Sequence, residues 1–322
     1  MAKRRLTQQQ QRRIHAARAQ KHQIADQELG EARPGLVIAR YGKRALIESD
    51  DGERRQCVMR ANLDSLVAGD EVSWRPSEAS GVIETRGERR SVLNRPDSRG
   101  TLRPVAANID LLMVVFAPKP QAHGNLIDRY LVAAEQAGME AILVLNKTDL
   151  IAADDGVREL ADSYHRLGYK VIETNRVTDP LADRLRECIA NRTLALVGQS
   201  GVGKSSLINR LIPDLDIRIG ALSDAIGKGR HTTTAAELYH LPSGGQLIDS
   251  PGIREFHLHH LPPEAVAQGF REFAPYLGCC RFRDCQHDQE QDCALLAALA
   301  EGQITEARFA SYRAIVDAPK PI

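Results

Sequence analysis

From residue 34 the chain alternates hydrophobic and polar residues in short bursts. GLVIARYGKRALIES (35–49), RRQCVMRAN (54–62), DEVSWRP (70–76) and GVIETRGERRSVLNRP (81–96) show the two-residue period of half-buried strands. Gly42, Asp51-Gly52 and Gly69-Asp70 supply turns between them. About five short strands in roughly sixty residues predict a small β-barrel, an OB-fold or another compact β-module. Near 105 the texture changes. NIDLLMVVFAP (108–118), AILVLN (141–146), KVIET (170–174) and TLALVG (193–198) are apolar runs typical of strands buried on both faces. NLIDRYLVAAEQAG (125–138), a stretch near 154–168 and LADRLRECIA (181–190) carry helical spacing between them. This βαβα rhythm predicts a mostly parallel sheet covered by helices. The organisation expected is therefore an arm over 1–33, a barrel over 34–104, an α/β domain over 105–260 and a small helical, cysteine-bearing domain over 261–322.

Composition fits a soluble globular chain, with 43% apolar and 26% charged residues among 322. No apolar run reaches the ~18 residues a membrane span needs, so no membrane partner is expected. The net charge of +1 hides an uneven distribution. Lys3, Arg4, Arg5, Arg12, Arg13, Arg18 and Lys21 all precede the first acid, Asp26. Such an arm predicts a polyanionic partner, nucleic acid first, against the plainer reading of a solvated tail. The barrel adds Arg40, Arg44, Arg54, Arg55, Arg60 and Arg75, with Tyr41 and Trp74 as its main aromatic candidates. So few aromatics favour contact with folded RNA through phosphates and shape over base stacking. The basic start runs into Gln-rich polar sequence, so no secretory leader is expected.

Chemistry enters at residue 198. Gly198-Gln199-Ser200-Gly201-Val202-Gly203-Lys204-Ser205 satisfies the phosphate-loop pattern G-x-x-x-x-G-K-[ST], after an apolar strand and before the helix that starts with Ser205-Ser206. Its glycines let backbone N–H groups curl around a β-phosphate, and the helix start adds partial positive charge. Lys204 would reach the β/γ-phosphates, and Ser205 would ligate Mg²⁺. The loop alone does not choose between ATP and GTP. QLIDSPG (246–252) ends a strand in D-x-x-G, so Asp249 would hold Mg²⁺ through water and the Gly252 N–H would sense the γ-phosphate. In GKGRHTTT (227–234) one Thr would close over Mg²⁺, and Thr233 is the choice among three.

Asn146-Lys147-Thr148-Asp149 stands at the end of an apolar strand, well before the phosphate loop. The Asp149 carboxylate can accept from guanine N1–H and N2–H₂, a pattern adenine lacks, and a buried Asp would be left unpaired against adenine. Lys147 would lie along the base and Asn146 would brace the loops. The reversed order of base loop and phosphate loop is permissible because strand position in the sheet, not chain order, assembles such a site.

Cys280-x4-Cys285-x-His287-x5-Cys293 offers a closed set of thiolates and an imidazole suited to structural Zn²⁺, with Cys279 a possible substitute for Cys280. Without a leader, this clustering argues for a metal site in a reducing compartment over a disulfide framework. His257, His259 and His260 read as a solvated linker, and Cys57 and Cys188 as core thiols.

The arm, the OB-like barrel, NKTD before GQSGVGKSS, GRHTTT, DSPGIREF and C-x4-C-x-H-x5-C together make the chain resemble the RsgA (YjeQ) family of ribosome-assembly GTPases. The resemblance covers essentially the whole chain. It implies an N-terminal OB-fold, a circularly permuted P-loop GTPase domain and a C-terminal zinc-binding domain. It implies a cytoplasmic enzyme that turns GTP into GDP and phosphate with Mg²⁺, acting as a monomer. The partners it implies are the 30S subunit and its 16S rRNA late in maturation, with hydrolysis stimulated by the subunit and followed by release. Thr174-Asn175 departs from the Ser-Ala-like signature expected after KVIE, which leaves the guanine O6 contacts open. Ile253 follows Gly252 where many GTPases place a water-orienting Gln. His231 is the candidate to replace it, against the reading that it contacts rRNA or solvent. The competing classes are a P-loop ATPase or kinase and a zinc-dependent RNA-binding module.

Overall fold

The computed structural model describes residues 29–60, 63, 65–78, 80–97, 100–152, 155–175, 185, 187–213, 236–249, 258 and 260–318. The chain packs as two units. The first takes the described residues up to Leu66 together with Glu71–Glu88. It contains β1 (Arg33–Tyr41), β2 (Arg44–Glu48), β3 (Arg54–Met59), β4 (Glu71–Pro76) and β5 (Gly81–Arg86). These pair in the closed order β1-β2-β3-β5-β4-β1, with β3 and β5 the parallel pair. That is a five-stranded, OB-like barrel. A register shift between Val37 and Ala39 lets β1 pair with β4 at one end and β2 at the other. Val37, Ala45, Ile47, Cys57, Leu66, Val72, Trp74 and Ile83 fill the interior. Burial pushes the Cys57 thiol up to about 12, in keeping with a core thiol.

Two details differ from the expectation of an arginine-rich, partly aromatic surface. Trp74 is fully buried, with Nε1 donating to Pro34 O at 3.2 Å, so it offers no platform for a base; Tyr41 remains exposed. Several arginines are engaged by acids: Arg54 with Glu48 at 2.7 Å, Arg60 with Glu84 at 2.9 Å and Arg75 with Glu84 at 3.2 Å.

The second unit takes Val67–Asp70 and the described residues from Arg89 on, and its first strands are a hairpin, β6 (Val92–Pro96) and β7 (Leu102–Ala107), which forms its own two-stranded sheet. The sequence reading carries the barrel to 104. The packing divides after Glu88, because β6 and β7 pair with each other and not with barrel strands.

The main sheet of this unit contains β8 (Leu111–Phe116), β9 (Glu140–Leu145), β10 (Lys170–Glu173), β11 (Thr193–Val197), β12 (Glu237–His240) and β13 (Gln246–Asp249). Their spatial order is β10-β9-β8-β11-β13-β12, parallel except for β12. β8 and β11 are buried along their whole length, as apolar runs covered on both faces must be. Helix α1 (Gly124–Gln136) buries Ile127, Tyr130, Leu131 and Ala134, the i, i+3, i+4, i+7 stripe of an amphipathic helix. Gly138, at φ 68°, ends it in the left-handed conformation. Helix α2 (Val157–Arg166) and helix α3 (Lys204–Leu211) complete the described α/β layer.

The C-terminal segment contributes α4 (Pro263–Gln268), a 3-10 segment (Arg271–Tyr276), α5 (Ala294–Ala300) and α6 (Glu306–Val316). Phe270, Phe273, Leu295, Tyr312 and Ile315 share one core with Val132 and Ala133 of α1. Phe270 stacks on Phe273 at 4.9 Å, and Tyr312 meets both edge-on. The module is therefore packed onto the α/β layer through α1. No helix among the described residues is long and apolar enough to cross a membrane.

Candidate nucleotide site and metal centre

Because β8, β9, β10, β11 and β13 are parallel, their connections emerge at one edge of the sheet. β9 ends in Asn146–Asp149, β11 in the loop before Lys204, β10 in Thr174, and β13 in Asp249 itself. β8 lies between β9 and β11, which brings the base loop and the phosphate loop together regardless of their order in the chain.

The two loops are fastened directly. Buried Asn146 donates through Nδ2 to Val202 O at 2.8 Å, across 56 positions of sequence. Lys147 sits in the left-handed region at φ 60°. From there its Nζ donates to Gly201 O at 2.6 Å and to Lys119 O at 3.0 Å. Thr148 N donates to Thr174 O at 3.1 Å, tying the base loop to β10. Asp149 lies exposed in a 3-10 turn, so its carboxylate is not buried by protein, contrary to the expectation above; a bound base would have to cover it.

Two glycines fix the phosphate loop's course. A Cβ on Gly198, at φ 139°, would stand 2.0 Å from Val115 O on β8. A Cβ on Gly203, at φ 101°, would stand 2.3 Å from Asn146 Nδ2. The second glycine is thus needed for its backbone conformation and for the base loop it abuts. Val202 is buried beneath the loop, while Ser200 and Gly201 form its exposed lip and Gln199 is half-buried. Lys204 folds Nζ back onto Gly198 O and Gln199 O at 2.6 and 2.7 Å. It opens α3, so the partial positive charge of the helix N-terminus faces the loop. Ser205 is half-buried in that first turn and Ser206 is exposed. Ser205 lies beyond β11 and Asp249 ends the adjacent β13, and their hydroxyl and carboxylate oxygens suit a hard cation such as Mg²⁺. Thr233, His231 and Gly252 lie outside the described residues, as does most of the 1–33 arm.

The second cluster is local in sequence. Sγ of Cys280, Cys285 and Cys293 and a ring nitrogen of His287 all lie within 4.8 Å of one another, a set that could hold a metal ion. His287 Nδ1 is 3.5 Å from Cys280 Sγ, 3.5 Å from Cys285 Sγ and 3.3 Å from Cys293 Sγ. A tetrahedral ion with bonds of ~2.3 Å to sulfur and ~2.0 Å to nitrogen imposes S···N separations of about 3.5 Å. The donor set therefore fits such an ion. His287 reaches the cluster by adopting φ 57°. The Ala294 N–H donates to Cys280 Sγ at 3.4 Å, support suited to a thiolate. Burial pushes the Cys285 thiol up to about 12 and lowers the His287 pKa. Protein alone thus disfavours charge here, which a divalent cation would reverse. Cys279 is exposed and turns towards Pro275 O and Leu277 O, so Cys280 and not Cys279 is the cysteine placed in the candidate set.

Sequence reasoning did not single out Lys119 or Arg308. The turn Pro118-Lys119-Pro120 after an apolar strand was a signal for the first. For the second the signal was a cation on the stripe Arg308, Ser311, Tyr312, Ile315, which is the buried face of α6.

A family model described as RsgA GTPase matches residues 86–259. The small ribosomal subunit biogenesis GTPase RsgA of Chromohalobacter salexigens is 54% identical over 294 residues, covering 89% of this chain and 86% of that protein. The protein of the same name from Pseudomonas aeruginosa is 50% identical over 331 residues, covering 98% of each. Among solved structures, YjeQ from Thermotoga maritima superposes with a TM-score of 0.73 at 31% identity, covering 90% of this chain and 100% of that one. YloQ, described as a circularly permuted GTPase, gives 0.71 at 25% identity, covering 90% and 97%. Base loop ahead of phosphate loop is the permutation itself, and with these relatives it is settled that the chain is a GTPase belonging to the RsgA family.

Proposed function

We propose that the protein is an assembly factor that binds the 30S ribosomal subunit and its 16S rRNA late in maturation, and that subunit-stimulated GTP hydrolysis drives its release. The observation that carries the chemistry is the fastening of Asn146 to Val202 O and Lys147 to Gly201 O. These bonds make base recognition and phosphate binding one rigid site. In this reading Asp149 selects guanine, Lys204 leaves its carbonyls for the β/γ-phosphates, and Ser205, Thr233 and Asp249 hold Mg²⁺ directly or through water. Gly252 senses the γ-phosphate, and His231 orients the attacking water that Ile253 cannot orient. The Cys280, Cys285, His287 and Cys293 set holds one structural Zn²⁺. The ribosomal partner is supported by the names of relatives that match nearly the whole chain and by the basic N-terminal sequence. A cytoplasmic, monomeric enzyme follows from the same reading.

Co-sedimentation tests it. Bound to a non-hydrolysable GTP analogue, the protein should pellet with 30S subunits and not with 50S, and GDP should release it. Equal pelleting with both subunits, or retention in GDP, contradicts the proposal. His231→Ala should keep GTP affinity and lose 30S-stimulated turnover; an unchanged stimulated kcat removes His231 from the mechanism.

A further inference from the structure

The α1 helix leaves the loop that borders the nucleotide site. Lys119 O, in that loop, accepts from Lys147 of the base loop, and Pro120 Cδ would lie 3.5 Å from a Cβ on Gly201 of the phosphate loop. About one helical turn into α1 stands Asp128, an acid on the otherwise apolar buried face and only 2% exposed. The network built on it draws on three other elements. Arg308 of α6 donates to Asp128 Oδ1 through Nη1. The same guanidinium donates to Glu272 of the 3-10 segment, at 2.6 Å from Nε and 3.2 Å from Nη2. Tyr164 of α2 lies with its hydroxyl 2.5 Å from Asp128 Oδ1 and 3.1 Å from Gly124 O, the first residue of α1. The guanidinium carbon sits 4.4 Å above the Phe270 ring and 5.5 Å from that of Tyr164. Asn125 Nδ2 adds bonds to Ser311 O and Oγ at 3.2 and 3.0 Å.

This is more than apolar packing requires. A planar fork that takes two carboxylates while its face lies on an aromatic ring has one geometry. Buried ion pairs contribute poorly to stability but specify register well. The register specified here is that of α1 against the cysteine-bearing module, at the end of α1 nearest the nucleotide loops.

We propose that Arg308 is a positioning residue for the nucleotide: by locking Asp128, it holds the start of α1 and the 117–123 loop against Lys147 and Gly201, so the C-terminal module sets the rate of guanine-nucleotide release. The proposal rests on the assignment of the base loop to Asn146–Asp149.

The test uses full-length protein and a fluorescent GDP analogue in stopped flow, with metal content and far-ultraviolet circular dichroism measured on each variant. Arg308→Met should retain its metal and helicity and release GDP about tenfold faster. Asp128→Asn should do the same, and the double variant should be no faster than either single one, because both break the same lock. Tyr164→Phe, a milder change that keeps the ring, should speed release about threefold and covers the case in which Arg308→Met does not fold. Release rates within twofold of wild type in folded Arg308→Met or Tyr164→Phe, even with a lowered Tm, would reduce the network to a structural role and overturn the proposal. Asp149→Asn separates this outcome from failure of the base-loop assignment. If that variant keeps its preference for guanine over xanthine nucleotides, the assignment has failed; if it changes preference while Arg308 variants release GDP normally, only the positioning role has.

Discussion

The nucleotide site and the cysteine cluster are built in opposite ways. The candidate nucleotide site draws Asn146, Lys147, Val202, Gly203 and Asp249 from strand ends far apart in sequence, and the parallel sheet sets those strand ends side by side. The bonds from Asn146 to Val202 O and from Lys147 to Gly201 O belong to the fold. The cysteine cluster takes all its donors from Cys280–Cys293, a stretch with little regular structure between the 3-10 segment and α5. Burial pushes the Cys285 and Cys293 thiols towards the neutral form, a preference that an added cation would reverse. One site is scaffolded by the chain and loads its ligand; the other is a scaffold the ligand completes. That contrast predicts different responses to damage.

The largest effect is expected at the metal centre. A structural Zn²⁺ contributes apparent free energies of ~10–16 kcal/mol to small domains. Cys285→Ser, or removal of the ion by a strong chelator, should lower metal content from about one per chain to near zero. It should also abolish hydrogen-exchange protection around Phe270, Phe273 and Tyr312. Protection in β8 and β11 should persist. Unaltered protection around Tyr312 after metal loss would erase the contrast between the two sites.

Next comes base selection. Asp149→Asn should weaken GTP by on the order of 10³-fold, since a site built to pair with N1–H and N2–H₂ is left mismatched. The same variant should gain affinity for xanthosine triphosphate in competition binding. Because Asp149 is exposed, its stability should stay within about 0.5 kcal/mol of wild type. A large loss of Tm would mean that the carboxylate supports the fold.

Gly203→Ala is intermediate and probes the seam between the loops. The added Cβ meets Asn146 Nδ2 in a backbone region costly to residues with side chains. A loss of ~1–3 kcal/mol in nucleotide affinity is expected by calorimetry, with base preference retained. Asn146→Ala, which orphans buried Val202 O, should cost ~1–2 kcal/mol in the same assay. If either variant shifts base preference without weakening phosphate binding, the loops act separately. The smallest effect belongs to Arg158→Ala. Its pair with Glu173 is exposed, so a change of less than ~1 kcal/mol in unfolding free energy is expected.

What the sequence disclosed follows from the same contrast. Motifs confined to a few consecutive residues were legible: the phosphate loop, NKTD and the cysteine spacing. Alternation exposed the barrel and apolar runs exposed β8, β9 and β11, because burial on one or both faces leaves a direct mark on composition. Features that depend on what packs opposite were not legible. Trp74 looked like an aromatic available to RNA, yet it fills the barrel, since a strand's inward face is set by register. β12 is a short strand with one buried residue at Leu238. It leaves too little pattern to find. Arg308 and Asp128 each resemble an ordinary surface charge on an amphipathic helix until the two helices are put together.

The most direct test of the account is the GTPase rate of the purified protein alone, with 30S subunits and with 50S subunits. The account predicts slow turnover alone, a strong increase with 30S and none with 50S. A rate that 30S subunits leave unchanged, or that both subunits raise equally, would contradict it.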